Sequence, residues 1–457
     1  MSLANMRNLN AISDNAVVVG MGSTGLSCAR FLQGRGRSFC MVDTRSEPPG
    51  LSQFQREFPD VPVYFDDIPE EKVLSAREMI VSPGVPMDDP LVVKAQEVGV
   101  RIMGDIDLFV AEATAPVIGI TGSNAKSTVT ELVGSMARDA GLSVGVGGNL
   151  GIPALDLLSK DASLYVLELS SFQLERAGQL NLAVATVLNV SEDHLDRHGT
   201  MPLYQQAKHN IFRGCRSAVV NLDDSLTTPL VSVDVAITSW RMGEPQQCGY
   251  GLRTEGGVEF LSREFELLMP VRDLGLQGRH NIANALAALA IGERAGLPLE
   301  SMVQTLQDFA GLPHRCELVD ERDGVRYVND SKGTNIGATE AALAGLAREK
   351  NIVLIAGGQG KGADFSALLP ALKTHCKLVV LIGEAAEKMR DCFSGQVDVQ
   401  LADSMAMAVS KAAAGAGAGD IVLMSPACAS FDMFSGYVER GECFTALVRS
   451  LGSGESL

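Results

Sequence analysis

The run Thr121-Gly122-Ser123-Asn124-Ala125-Lys126-Ser127-Thr128 sets a glycine turn, a lysine and two hydroxyl residues directly behind the apolar stretch Pro116-Val117-Ile118-Gly119-Ile120. A buried strand that turns in this way into a helix, here over 129–139, aims backbone N–H groups at an anion, and the lysine adds its charge. Ser127 or Thr128 then offers an oxygen to magnesium. The chemistry this suits is the handling of a nucleoside triphosphate, with Gly122, Ser123, Asn124, Ala125, Lys126, Ser127 and Thr128 as the contacts. A standard loop of this type has glycine where Ala125 stands. Because alanine in the left-handed region costs about 1 kcal/mol or more relative to glycine, Ala125 is expected at negative φ.

Other apolar runs also deliver polar residues at their ends. Leu164-Tyr165-Val166-Leu167 leads to Glu168, and the run 183–188 leads to Asn189 and then Glu192-Asp193-His194-Leu195-Asp196. In a phosphate-loop fold the acid ending a neighbouring strand holds magnesium, directly or through water, and Glu168 ends the uninterrupted strand. His194 and His198 are four apart, as in H-E-x-x-H, but Leu195 occupies the place of the glutamate base, which excludes a zinc protease. His194 reads either as a surface loop histidine or as an imidazole in a magnesium shell. Asn281 and Asn284 are helical neighbours that could grip an adenine or a phosphate, or cap the helix.

Three α/β units must position these groups, with boundaries at 1–104, 105–311 and 312–457. In the first, Ala16-Val17-Val18-Val19 runs into Gly20-Met21-Gly22-Ser23-Thr24-Gly25, then a helix, then Phe39-Cys40-Met41-Val42 and Asp43-Thr44-Arg45. A G-x-G-x-x-G turn between strand and helix, with an acid after the next strand, is the pattern of a Rossmann-like nucleotide site. The same glycines also serve packing alone, and that alternative stays open. Ser82-Pro83-Gly84-Val85-Pro86 makes a rigid turn after a further strand, at the edge where open sheets bind ligands. The third unit repeats strand-then-turn four times, ending in Asn329-Asp330-Ser331-Lys332-Gly333-Thr334-Asn335, Gly357-Gly358-Gln359-Gly360-Lys361, Gly383-Glu384 and Ser425-Pro426-Ala427-Cys428-Ala429-Ser430-Phe431-Asp432. That is a second doubly wound domain. Lys332 and Lys361, each just past an apolar strand, stand out from surface lysines.

Composition narrows the partners. At 457 residues the chain exceeds a single core, and 46% hydrophobic, 20% charged and 47 glycines fit a soluble α/β protein. A formal charge of −17 argues against nucleic acid or an anionic membrane, and it requires basic residues to cluster where an anionic nucleotide binds. Nine cysteines without a C-x-x-C pair read as buried thiols in a reducing compartment. No stretch has the length of a membrane span and no signal peptide is visible, so the cytoplasm is the default.

With these residues in place, the chain resembles the Mur ligases over nearly its whole length. The phosphate loop, Glu168, Asn189, His194, the Asn281 and Asn284 pair, Arg315 and the Asp330 to Asn335 loop fall in that family's order and approximate spacing. Asp43-Thr44-Arg45, Ser82-Pro83-Gly84 and the 425–430 run resemble the member that joins D-glutamate to UDP-N-acetylmuramoyl-L-alanine. The Asp-Asn-Pro-type motif of the diaminopimelate-adding relative is not seen. The resemblance implies ATP as co-substrate, two magnesium ions, an acyl phosphate and a tetrahedral intermediate. It implies ATP contacts from the phosphate loop, Asn281, Asn284, Arg315 and Asp330, and magnesium at Ser127, Glu168, His194 and Lys208, the last as a carbamate. It implies the UDP substrate at Ser23, Thr24, Asp43, Thr44, Arg45, Gly84, Asn149 and His194, and D-glutamate at Lys332, Thr334, Lys361, Ser430, Phe431 and Tyr437. A monomer whose third domain closes on binding is the expected state. Two rivals remain: an NAD-dependent oxidoreductase built on Gly20 to Gly25, which leaves Lys126 without a role, and a phosphate-loop switch or transport ATPase. A folate-polyglutamate type ligase shares the ATP loop but not the nucleotide-like first domain.

Overall fold

The computed structural model describes residues 16–65, 67–149, 151–276, 278–360 and 362–451. Three sheets carry the chain. In the first, strands β1 (Ala16–Val19), β2 (Phe39–Val42), β3 (Val63–Tyr64), β4 (Glu78–Val81) and β5 (Arg101–Met103) lie parallel in the order β3-β2-β1-β4-β5. Their continuous apolar character follows from burial on both faces. The order reverses between β1 and β4, which opens a crevice beyond their carboxyl ends. There the Ser82 hydroxyl donates to the Gly20 carbonyl at 3.0 Å, and Ser82 N–H to Val19 O at 2.8 Å. Gly25 has a packing reason to be glycine, since a Cβ would stand 1.9 Å from Gly20 O.

The second sheet has nine strands: β6 (Val117–Thr121), β7 (Val144–Gly148), β8 (Leu164–Glu168), β9 (Val184–Val187), β10 (Ser217–Asn221), β11 (Ala236–Trp240), β12 (Gly249–Glu255), β13 (Val258–Arg263) and β14 (Glu266–Pro270). Their order is β14-β13-β12-β11-β10-β9-β6-β8-β7, parallel from β7 to β12, with β13 and β14 as an antiparallel edge. Strand β6 lies between β8 and β9, so the residues ending all three meet at one place. The phosphate-loop helix is Lys126–Asp139, and the alanine-rich helix Arg279–Arg294 packs against it, small side chains allowing close approach.

The third sheet contains β15 (Glu317–Arg322), β16 (Val325–Asn329), β17 (Ile352–Gly357), β18 (Cys376–Ile382), β19 (Val399–Leu401) and β20 (Ile421–Met424), in the order β15-β16-β20-β17-β18-β19. It is parallel except for the β15–β16 hairpin. The hairpin partner β15 and the short edge β19 extend the four strand-then-turn units read from sequence. β15 (Glu-Leu-Val-Asp-Glu-Arg) is polar and β19 has three residues, so neither gives an apolar run.

The first and second units share a core that joins Ala16, Met21 and Leu26 to Leu155, Phe109 and Tyr165, the rings of the last two standing edge-on with centroids 5.0 Å apart. Among the described residues no helix is long and apolar enough to cross a membrane. Cys28, Cys40, Cys215, Cys376 and Cys428 are buried as expected, whereas Cys316, Cys392 and Cys443 are half-buried and Cys248 is exposed, so the expectation of uniformly buried thiols is corrected.

Candidate active site

Hydrogen bonds with Asn189, Ser191 and Lys126 tie down the phosphate loop. Asn189, at the end of β9, accepts from Asn124 N–H at 2.8 Å and donates to Asn124 O at 3.2 Å, while its own carbonyl takes Ser123 N–H at 2.9 Å. The Ser123 hydroxyl, 4% exposed, donates to Ser191 O at 2.9 Å and lies 3.1 Å from the Tyr204 hydroxyl. Lys126 Nζ donates to Gly122 O and Ser123 O at 2.8 and 3.0 Å. These bonds fix the backbone of the loop, so the N–H groups that open the helix Lys126–Asp139 keep one direction.

Ala125 corrects the expectation of a negative φ: it sits at φ 67°, ψ −7°, in the left-handed region, as the residue before the helix. The cause is local. Asn189 fixes both sides of Asn124, and the helix must begin at Lys126 to present its N–H groups, so the chain reverses at 125. The strain, about 1 kcal/mol or more, is held by the surrounding bonds. The Ala125 methyl packs against the central core.

A cavity of about 550 Å³ lies between the phosphate loop, the helix Arg279–Arg294 and the loops of the third sheet, a size suited to a small-molecule ligand. Two third-domain cations reach the loop: Lys332 Nζ donates to Ser127 Oγ at 2.8 Å and Arg315 Nη2 to the same atom at 3.0 Å. With Lys126 they form the basic cluster that the acidic chain requires. Burial pushes the Lys332 amine down to about 8; Arg315 and Lys126 add to that and Glu168 opposes it. Glu168 is 1% exposed; burial raises its pKa, but Lys126 and Lys332, helped by the Ser127 hydroxyl and the Asn149 amide, outweigh this and hold it below the usual range. Its Oε1 accepts from Asn149 Nδ2 at 2.6 Å, and Oε2 is buried with no hydrogen-bond partner among the described residues. An orphaned carboxylate oxygen beside Ser127 fits a hard cation that takes one carboxylate and completes its shell with hydroxyl, phosphate and water oxygens. Among the described residues no three His, Cys, Asp or Glu side chains form a cage of their own.

His194 lines the cavity at φ 55°; its N–H donates to Asp193 Oδ1 at 3.0 Å and Nε2 stands 3.4 Å from Asp193 Oδ2. His198 instead turns inward, with Nε2 3.0 Å from Ser171 Oγ, so the two histidines diverge around Phe172. Lys208 is 1% exposed and donates to Gly122 O at 2.7 Å. Burial, then the neighbouring Lys126, lower its pKa well below that of a free lysine, against Asp193 and Glu168. It lies behind the phosphate loop, and nothing in its local sequence marks it.

Trp240, Leu276, Ala283 and Ala287 give the cavity an apolar part of its wall. Asn281 and Asn284 face it, bonded to each other at 3.0 Å. Asn281 is the third residue of its helix and the cap is Gly278, so the capping alternative falls away. Asp330 also lines the cavity; its oxygens accept from Cys316 N–H at 3.2 Å and Ser425 Oγ at 2.7 Å, and burial pushes its pKa up to about 6. Thr334, Ser430 and Tyr437 complete this face, and the Phe431 side chain is 69% exposed. Lys361 lies outside the described residues.

The first-domain residues form a separate group at the crevice of the first sheet. The Asp43 carboxylate, 2% exposed, takes Met21 N–H at 2.7 Å and the Arg45 guanidinium at 2.7 and 2.9 Å. Burial raises its pKa, but Arg45 and the two backbone donors hold it lower than an ordinary aspartate. The helix Ser23–Gly34 starts behind Gly22 without a side-chain cap, leaving Ser23 and Thr24 at its open end, with Thr44 exposed beside Arg45. Gly84 sits in the facing turn. Asn149 lines the central cavity, bonded to Glu168, as the expectation of a contact from the centre requires. Two side chains that link the units were given no role by the sequence reading: Asp193, whose Oδ2 takes Asn335 Nδ2 from the third domain at 3.1 Å, and Arg176, which grips the turn carrying Gly84. Arg176 ends a short helix, and no local pattern signals its role.

Three family models match the chain: Mur ligase MurD-like, N-terminal domain, over residues 14–104; Mur ligase middle domain over 120–292; and Mur ligase, glutamate ligase domain over 314–428. The UDP-N-acetylmuramoylalanine–D-glutamate ligase of Pseudomonas savastanoi pv. phaseolicola is 51% identical over 437 residues, 95% of this chain and 98% of that protein. Its counterpart in Hahella chejuensis is 49% identical over 441 residues, covering 96% and 98%. Among solved structures, the MurF ligase of Thermotoga maritima in complex with ADP superposes with a TM-score of 0.61 at 18% identity, covering 90% of this chain and 95% of that one. The UDP-N-acetylmuramate-alanine ligase of the same organism gives 0.60 at 18%, covering 95% and 99%. At that identity the structural matches speak for the fold alone.

Proposed function

This chain belongs to the Mur ligase family, and on that premise we propose that it joins D-glutamate to UDP-N-acetylmuramoyl-L-alanine, driven by ATP, in peptidoglycan precursor synthesis. The observation that carries the reading is the meeting of Lys332 and Arg315 with Ser127 inside one cavity that also holds Glu168. Cations from the third domain thus stand against the phosphate loop of the second, where a phosphoryl group must pass between ATP and an acceptor.

A carboxylate repels nucleophiles, so the L-alanine carboxylate first attacks the γ-phosphorus, releasing ADP and forming an acyl phosphate. The D-glutamate amine then adds to the activated carbonyl carbon. The tetrahedral intermediate expels phosphate, and the nitrogen gives up its proton as the amide forms. Lys126 and the loop N–H groups hold the β- and γ-phosphates, and Lys332 and Arg315 neutralise charge developing on the transferred group. Glu168 with Ser127 or Thr128, and His194 with carbamylated Lys208, would hold magnesium, which supplies further neutralisation of the phosphoryl and carboxylate oxygens. Lys208 is suited to carbamylation because only the neutral amine adds to carbon dioxide, and its burial favours that form.

Trp240, Ala283 and Ala287 offer the adenine an apolar slot, with Asn281, Asn284 and Asp330 as polar contacts to the nucleotide. Lys332, Thr334, Lys361, Ser430, the backbone at Phe431 and Tyr437 receive D-glutamate. Ser23, Thr24, Asp43, Thr44, Arg45 and Gly84 receive the UDP end, and Asn149 and His194 reach the same substrate from the central cavity. The units 1–104, 105–311 and 312–457 act as three domains of a cytoplasmic monomer. Phosphate release with UDP-N-acetylmuramoyl-L-alanine and ATP tests the reading: D-glutamate should stimulate it and L-glutamate should not. Release indifferent to the amino acid would place the chain among other ATPases.

A further inference from the structure

The turn over residues 82–85 is held by the neighbouring domain. Arg176 closes the helix Ser171–Arg176 of the second unit, and its side chain is fully buried. Its Nη1 donates to Val81 O at 3.0 Å and Ser82 O at 2.5 Å, and its Nη2 to Pro83 O at 3.3 Å and Val85 O at 3.1 Å. Nε donates to Phe172 O at 2.9 Å. Arg197 Nη2 adds a second donor to Val85 O at 3.0 Å and pairs with Glu175 at 3.0 Å. A buried cation facing four carbonyls of another domain is a costly arrangement to keep as mere packing.

The peptide geometry shows what the grip does. Pro83 and Pro86 have no N–H. Ser82 N–H is spent on Val19 O and Val85 N–H on Ser82 O. The Pro83–Gly84 peptide is trans, so its N–H and C=O point in opposite directions. Drawing Pro83 O toward Arg176 therefore turns Gly84 N–H to the opposite side, and the Gly84 Cα itself is uncrowded, since a Cβ there would meet nothing within 4 Å. We propose that Arg176, supported by Arg197, is a positioning residue that aims the Gly84 N–H at the UDP-substrate and fixes that substrate's span across the two domains.

The span follows from a shared anchor. The Arg197 guanidinium lies 5.0 Å above the Phe172 ring, and the same ring stands 4.8 Å from the His194 ring. One short helix thus ties the turn at the nucleotide end of the substrate to the histidine at its reacting end. Lysine in place of Arg176 has a single ammonium and cannot serve four diverging carbonyls.

The inference rests on the proposed substrate, and its test separates the two. Wild type, Arg176→Gln and Arg176→Lys are titrated with UDP by calorimetry, and steady-state rates are measured for all three substrates. The clamp raises the UDP dissociation constant and the KM for the UDP-substrate at least tenfold in both variants. The kcat stays within threefold, and the KM values for ATP and D-glutamate are unchanged. A folded Arg176→Gln chain that binds UDP within twofold of wild type overturns the clamp while leaving the ligase reading intact. Should Arg176→Gln fail to fold, Arg197→Gln carries the test: a threefold weakening supports the clamp and an unchanged UDP affinity overturns it. A wild-type chain that binds no UDP sinks the substrate reading and the clamp with it.

Discussion

Lys332 should take up a proton when nucleotide binds, and the amount follows from its surroundings. Its pKa is pushed down to about 8, first by burial, then by Arg315 and Lys126. At pH 8.5 an amine of that pKa is about 24% protonated. A triphosphate in the cavity brings several negative charges within reach and restores the ordinary value near 10.5, at which the amine is about 99% protonated. Binding at pH 8.5 should therefore draw in about 0.75 proton per site, and at pH 7 only about 0.1. Isothermal titration calorimetry with a non-hydrolysable ATP analogue, in two buffers of different ionisation enthalpy, reads this number directly. Lys332→Met should abolish it. Lys332→Arg, which stays charged throughout, should bind nucleotide without uptake. Uptake below about 0.2 proton in wild type at pH 8.5, or equal uptake in Lys332→Met, would refute the placement of this amine against the phosphates.

Further outcomes can be checked in the same preparations. Ala125→Gly relieves about 1 kcal/mol of left-handed strain but restores a similar unfolded-chain entropy, so Tm should move by no more than about 2 °C and kcat/KM by no more than twofold. Ala125→Val, β-branched at φ 67°, should lose about 2 kcal/mol or more in urea unfolding. Glu168→Gln removes the charge that balances Lys126 and Lys332; kcat should fall on the order of 100-fold with a raised magnesium requirement. Asp105 is wholly buried and its pKa is pushed up to about 6 by burial, from 3.8. The fold therefore favours its protonated form, and this contribution is full below pH 3.8 and lost as pH rises through 6. Asp105→Asn should gain about 2 kcal/mol relative to wild type between pH 4 and pH 7, read from urea midpoints. If Lys208 is carbamylated, carbon-dioxide-free buffer should lower activity and bicarbonate restore it, whereas a Lys208→Ala chain should respond to neither.

Much of this site was legible because its signals are local. The phosphate loop joins an apolar strand to a helix within a dozen residues, and Glu168 ends a continuous apolar run, so strand polarity alone brings both to one edge. Lys332 was visible for the same reason. The φ of Ala125 was misread because the deciding bonds come from Asn189, on a strand that follows much later in the chain. Asn149 follows β7, and its amide meets Glu168 at the end of the neighbouring β8, a pairing that only the sheet order reveals. Arg176 had no signature at all, since its role exists only where two domains meet. Polar β15 and short β19 lacked the periodicity that marks a strand.

The central claim is that this cavity makes an acyl phosphate. It predicts that an oxygen of the L-alanine carboxylate leaves with phosphate in each turnover. With UDP-N-acetylmuramoyl-L-alanine labelled with ¹⁸O in that carboxylate, phosphorus NMR of the released phosphate should show one transferred ¹⁸O, formed in step with the D-glutamate adduct. Phosphate that carries no label while the adduct accumulates would contradict the account.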